Sequence, residues 1–116
     1  MGNPVMWFEV AGKDHQALKD FYSQLFDWNL VDMEGAPYSG VTDNAEGIPG
    51  GVGAAPEGHP GHVTFYVQVD DLEAALVKAE SLGGKRAMGP MDIPNGQIAL
   101  FTDPEGREIG LMTQNG

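Results

Sequence analysis

The sequence predicts an α+β domain made of two copies of one strand-helix-three-strand unit, and three observations predict it. Short segments rich in strand formers alternate with glycine- and proline-bearing turns, two longer segments carry apolar residues at helical spacing, and the second half of the chain repeats the order of the first. Gly and Pro make 25 of the 116 residues, close to a low-complexity level, yet 41% of the chain is hydrophobic and 9% aromatic, which argues for a packed core.

Residues 5–10 read as the first strand. Asp14 then caps a helix whose apolar positions Leu18, Phe21, Tyr22, Leu25 and Phe26 fall at i, i+3, i+4, i+7 and i+8. After Trp28 come three short candidate strands, residues 29–33, 38–42 and the glycine-rich 48–54. Residues 62–69 form a stronger strand. It leads into a second helical stripe, Asp71, Leu72, Ala75, Leu76, Ala79 and Leu82, closed by Gly83-Gly84. Residues 85–88, 97–102 and 108–113 supply the last three strands, with Asp103-Pro104-Glu105-Gly106 as a turn. Asp70-Asp71 at a helix start and Asp103 with Glu105 in a turn are read as capping and turn residues, not as catalytic carboxylates.

An offset of 57 residues sets Trp7-Phe8 on Thr64-Phe65, Val10 on Val67, Asp14 on Asp71, Leu25 on Leu82 and Gly53 on Gly110. The expected organisation is one domain over residues 1–116, with modules at 1–57 and 58–116. Each module alone would expose an apolar sheet face, so the two are expected to share a core, with the helices on the outer face and a cleft on the inner one.

Six Lys+Arg against 17 Asp+Glu give a net charge of −11, which repels phosphate backbones and anionic lipid surfaces. Nucleic acid and membrane are therefore not expected as partners. With no cysteine, disulfides, thiolate nucleophiles and cysteine-ligated zinc are all excluded. The opening MGNPVMWFEV has no basic segment before a long apolar run, and a cytoplasmic, unsecreted protein is expected. A chain this short is also expected to extend its core by homodimerisation.

The stretches Trp7-Phe8-Glu9-Val10, Phe21-Tyr22-Ser23-Gln24-Leu25-Phe26-Asp27-Trp28, Val69-Asp70-Asp71-Leu72 and Phe101-Thr102-Asp103-Pro104-Glu105-Gly106 resemble the vicinal oxygen chelate superfamily. Glyoxalase I, extradiol dioxygenases, fosfomycin-resistance enzymes and bleomycin-resistance binding proteins belong to it, and the likeness is greatest to small bacterial glyoxalase-like proteins. The resemblance implies two βαβββ modules whose mixed sheet curls into a cup. It also implies a divalent ion held by one side chain on the first and last strand of each module. An open ferredoxin-like sandwich is the alternative fold. Carried across by spacing, the ligand positions are Trp7, Gly53, Thr64 and Gly110. Indole, two glycines and a lone hydroxyl make no ligand set, so neither a metal nor another cofactor is expected. A shift by one residue, to Val52 and Ile109, restores no ligand.

If Trp7 faces the cleft, as the resemblance implies, strand alternation puts Glu9 there too and Phe8 and Val10 toward the helices; likewise Thr64, Tyr66 and Gln68 are expected to face in and Phe65, Val67 and Val69 the core. Glu9 with Tyr66 is the candidate acid-base pair, and Trp7, Glu9, His62, Thr64, Tyr66 and Met112 are the candidate ligand contacts. Tyr38, Met88, Met91 and Phe101 are further candidates for the lining. His15, in the first helical turn, is expected to be exposed, and His59 with His62 is a loop pair suited to adventitious metal. Two functions follow. One is a metal-independent binding protein for a small organic ligand of cationic or aromatic character. The other is a metal-independent glyoxalase-like enzyme of lyase or isomerase type, using Glu9 with Tyr66 or Thr64.

Overall fold

A computed structural model of the chain describes residues 2–114. Its elements run β1 (Val5–Gly12), α1 (His15–Phe26), β2 (Val31–Asp32), β3 (Tyr38–Val41), β4 (Gly50–Ala54), β5 (His62–Gln68), α2 (Leu72–Ser81), β6 (Lys85–Ile93), β7 (Gly96–Thr102) and β8 (Glu108–Gln114). The order is βαβββ twice, an α+β architecture. Strands stack β2-β3-β4-β1 in the first module and β5-β8-β7-β6 in the second. The pairs β1/β4 and β5/β8 are parallel and the remaining pairs within each module antiparallel, so each half-sheet is mixed. The chain divides into two compact units, one of residues 7–64 and the other of residues 65–114 with 2–6. In the latter, Gln68 N–H donates to the Pro4 carbonyl and Asn3 Nδ2 to the Gln68 carbonyl.

Both helices begin as their sequences dictate. Asp14 and Asp71 are extended, and each carboxylate accepts a backbone N–H three residues on, Ala17 at 3.0 Å and Ala74 at 3.0 Å. Gly83, at φ 101°, provides the left-handed turn that ends α2. Asp103 Oδ1 accepts from Arg107 N–H and Glu105 N–H, both at 2.9 Å, which tightens the β7–β8 turn, and these bonds, Arg107's first, hold the Asp103 carboxyl below its usual range.

Each unit has its own helix-side cluster. Leu30, Val41 and Val52 are buried with Phe8, Val10, Leu18, Tyr22 and Trp28 packed against them; Leu72, Leu76, Ala99 and Leu111 are buried with Val67, Val69, Ala75 and Phe101. Phe101 thus lies under α2 and not on the opposite face as a lining residue. Phe65 also departs from expectation, being 40% exposed, because the buried side chains of α2 cover the later residues Val67 and Val69 of its strand. Strand β6 runs on to Ile93 because pairing with β7 resumes at Met91 opposite Ile98 after an irregularity.

The repeat is not a single offset. Glu9 pairs with Gly51 and Tyr66 with Gly110, so the first strands of the modules are 57 positions apart and the last strands 59. The counterpart of Gly110 is therefore Gly51, not Gly53. The two extra positions preserve strand parity, so both glycines stay on the face away from the helices.

Leu76 has no exposed surface and Leu82 is 69% exposed. Leu76→Ala is expected to lower unfolding stability by about 3 kcal/mol. Leu82→Ala is expected to change it by less than about 0.5 kcal/mol. Urea denaturation of both variants checks the placement of the α2 core.

Candidate functional site

Alternation along β1 sends Phe8 and Val10 into the helix-side cluster and leaves Trp7 and Glu9 on the other face. On β3 and β4 the antiparallel register puts Tyr38, Gly40, Gly51 and Gly53 on the face of Trp7, and Ser39, Val41 and Val52 under α1. Four side chains of this unit meet there. Trp7 Nε1–H donates to the Tyr38 hydroxyl at 2.8 Å, and that hydroxyl donates to Glu9 Oε1 at 3.1 Å. Glu9 Oε2 lies 2.5 Å from His62 Nε2. The Glu9 and His62 side chains are 14% and 12% exposed, close-packed but reachable.

The glycines of β4 are what make room for this arrangement. A Cβ at Gly51 or Gly53 would overlap the Tyr38 ring, and one at Gly40 would come within 3.6 Å of the Trp7 ring. In the other unit a Cβ at Gly110 would overlap the Tyr66 ring. The weak strand signal of residues 48–54 thus has a steric cause, since those positions hold bare backbone against aromatic rings. The same observation tests the metal implied by resemblance. On the last strand of each module the space that a ligating side chain would need is filled by a tyrosine ring, and Trp7 and Thr64 on the first strands offer no imidazole or carboxylate. Those corners do not fit a divalent ion, whether Gly53 or its corrected counterpart Gly51 is counted.

Of the other expected site residues, Thr64 and Tyr66 are buried, and Met112 is partly buried opposite Gln68 on β8. His62 opens β5. His59 sits in the preceding loop, where its Nδ1 accepts from Gly61 N–H at 2.9 Å and its ring meets that of His62 edge-on at 5.3 Å. Tyr38, expected only as a lining residue, is the phenol that bridges Trp7 and Glu9. The signal for it was its place two residues before Gly40 on a strand paired with a glycine-rich one, but the pairing itself is a tertiary fact.

Tyr38 is held protonated. Burial raises its pKa first and the Glu9 charge adds to the rise, against a smaller lowering by the Trp7 N–H. The folded protein keeps this proton more tightly than the unfolded chain, so stability tied to Tyr38 is intact below about pH 10 and is lost as pH climbs above it.

A second polar cluster lies on the helix side of the same strand. Ser39, with no exposed surface, donates from Oγ to Asp32 Oδ1 at 2.6 Å and lies 2.7 Å from His15 Nε2, while Lys19 Nζ donates to Asp32 Oδ1 at 2.8 Å. His15 is therefore bonded and partly buried, not exposed. Lys19 first and Ser39 next hold the Asp32 carboxyl below its usual range, so it can only accept. The single Ser39 proton points to Asp32, and His15 Nε2 must carry the hydrogen that Ser39 accepts. The buried serine therefore serves as a strut between α1 and β3.

Residues 5–111 match the family described as the Glyoxalase/Bleomycin resistance protein/Dioxygenase superfamily. A Mycobacterium tuberculosis protein provisionally named a glyoxylase, CFP32, is 36% identical over 121 residues, covering 94% of this chain and 45% of the relative. The anthracycline biosynthesis protein DnrV of Streptomyces peucetius is 30% identical over 123 residues, covering 90% of this chain and 45% of that protein. The chain thus spans about half the length of these relatives. A solved structure of a superfamily member from Vibrio splendidus 12B01 superposes with a TM-score of 0.65 at 12% identity, over 98% of this chain and 100% of that one, a likeness of fold.

Two spectroscopic outcomes are expected. In a protein labelled with 13C at tyrosine Cζ, the resonance lost in Tyr38→Phe should show no titration up to pH 10.5; a midpoint near 10 would place Tyr38 in solvent. The 15N shifts of the His15 ring at pH 8 should report the Nε2–H tautomer, and an Nδ1–H pattern would break the strut as described.

Proposed function

Because the chain belongs to the glyoxalase/bleomycin resistance protein/dioxygenase superfamily, whose fold leaves function to the site, we propose that it binds a small organic molecule on the Trp7–Glu9 face without the divalent ion that the resemblance implies. The observation that carries this reading is the hydrogen-bonded chain from Trp7 through Tyr38 to Glu9 and His62. A carboxylate held by a phenol and an imidazole is a fixed polar anchor, and the indole beside it offers a flat apolar surface. The excess of carboxylates favours a cationic guest, and the indole favours an aromatic one. The relative named for anthracycline biosynthesis supports an aromatic guest, since such molecules are planar and polycyclic.

The 2.5 Å contact between Glu9 and His62 favours a second reading, acid-base catalysis of lyase or isomerase type. A carboxylate that orients an imidazole is a common device for moving a proton to or from a bound substrate, and the name of the glyoxylase relative is in keeping with it. In this reading Glu9 with His62 exchanges the proton, and a hydroxyl of Tyr38 or Thr64 donates a hydrogen bond to the substrate.

Thermal-shift screening followed by calorimetry on Trp7→Ala and Glu9→Gln separates the two. Binding alone predicts at least about a tenfold loss of affinity in Trp7→Ala, a change of roughly 1.4 kcal/mol. Catalysis predicts that Glu9→Gln abolishes turnover while retaining ligand. Affinity unchanged in both variants would remove the site from this face. Elemental analysis of tag-free protein is expected to find well under one Ni, Zn, Fe or Mn per chain, and one tightly held ion per chain would overturn the metal-free reading.

A further inference from the structure

A cavity of about 400 Å³ lies in the 65–114 unit between the C-terminal half of α2 and the β7–β8 turn. Its walls, Ala75, Ala79, Leu82, Phe101, Pro104 and Leu111, are apolar and open to solvent, with Leu82 69% exposed. The repeat shows why this space is not filled by the chain itself. Counted from the Asp14 and Asp71 caps, Ala75 holds the helix position of Leu18, and Ala79 that of Tyr22. In the 7–64 unit Leu18 and Tyr22 pack against the buried Leu30, Val41 and Val52, and the Tyr22 ring stacks on Trp28 with centroids 6.1 Å apart. In the 65–114 unit two methyl groups stand in their place, and Gly83 and Gly84 line or flank the end of the helix where the other unit carries rings. An isopropyl group and a phenol ring are thus absent from between α2 and Leu111, the strand counterpart of Val52.

An accessible apolar hollow of this volume suits a small molecule, and one ring seated in it gains dispersion contacts from helix and sheet together. The rim decides what that ring carries. Two charged side chains stand there, Lys78 and Asp103. Asp103 is turned into its own loop, where Oδ1 accepts from the amides of Arg107 and Glu105. The Lys78 ammonium makes no hydrogen bond or ion pair among the described residues, whereas Lys19, Arg86 and Arg107 are each engaged by a carboxylate. Charges more than about 8 Å apart are largely screened at physiological ionic strength, so the nearby ammonium, and not the net charge of −11, meets the guest. A carboxylate on a short flexible stem lets the ring fill the hollow while its charge reaches Lys78.

We propose that this cavity binds a single aromatic ring bearing a carboxylate, with the ring between α2 and Leu111 and the carboxylate on Lys78. The probe is hydrocinnamate, added to wild-type protein labelled with 13C at its alanine and leucine methyl groups. The Ala75, Ala79 and Leu111 methyls are expected to shift saturably, while acetate leaves them in place and the neutral ring p-cresol shifts them with lower affinity. Lys78→Gln should weaken hydrocinnamate binding about threefold, as befits an exposed ion pair, and leave that of p-cresol unchanged. Ala75→Leu and Ala79→Tyr, which install the side chains of the first unit, should each remove the response. Lys78→Gln, a surface change, keeps the test decisive where a filled variant does not fold. Glu9→Gln should leave the response as it is, which separates this cavity from the proposed Trp7–Glu9 site. No saturable shift, an equal shift with acetate, a response that survives in a folded filled variant, insensitivity to Lys78→Gln, or loss of the response in Glu9→Gln would each overturn the proposal. So would shifts of these methyls that follow protein concentration alone together with a dimer in sedimentation, which would give the cavity to a second copy of the chain.

Discussion

Strand β1 has to satisfy two environments at once, and the period of two along its backbone is what lets it do so. Phe8 and Val10 turn to the helix and Trp7 and Glu9 turn away, so one eight-residue segment is at once a wall of the core and a wall of the candidate site. The neighbouring strands obey the same rule. Val52 is fully buried under α1 while Gly51 and Gly53 lie bare on the opposite face beneath the Tyr38 ring. A one-residue slip of β4 would bury no valine and would drive a side chain into that ring, so the hydrophobic pattern and the site hold each other in register.

Glycine in β4 therefore acts through absence. Strand interiors pay an entropic penalty for glycine, and here the compensation is contact area with aromatic rings that no larger residue would allow. The Tyr38 hydroxyl is thereby placed between the Trp7 N–H and the Glu9 carboxylate, and burial there keeps it a donor. On the reverse side of the same strand Ser39 ties β3 to α1 through His15 and Asp32. The strand carrying the bridging phenol is thus anchored from both faces, one by ring packing and one by a buried hydroxyl.

Superfamily membership accounts for the fold and leaves the chemistry to local substitution. The positions where the resemblance implies metal ligands are held by indole, hydroxyl and glycine, and two of them are covered by tyrosine rings. That face still carries polar groups: Glu9 lies two residues beyond Trp7 and His62 two residues before Thr64, spacings that keep the same side of the sheet.

Local sequence determined the helices, their Asp14 and Asp71 caps, the turn at Asp103 and the alternation of Trp7 and Glu9 against Phe8 and Val10 along β1, because spacing and capping depend on neighbours within a few positions. It also determined that the four corner positions lack metal ligands, since that is a matter of residue type alone. Which residues meet was decided by tertiary structure. The 59-position spacing of the last strands, the bridging role of Tyr38, the buried His15–Ser39 contact and the exposure of Phe65 each depend on strand register or on how far a helix reaches across its sheet. Those quantities come from packing between segments far apart in the chain, on which a local pattern has no hold.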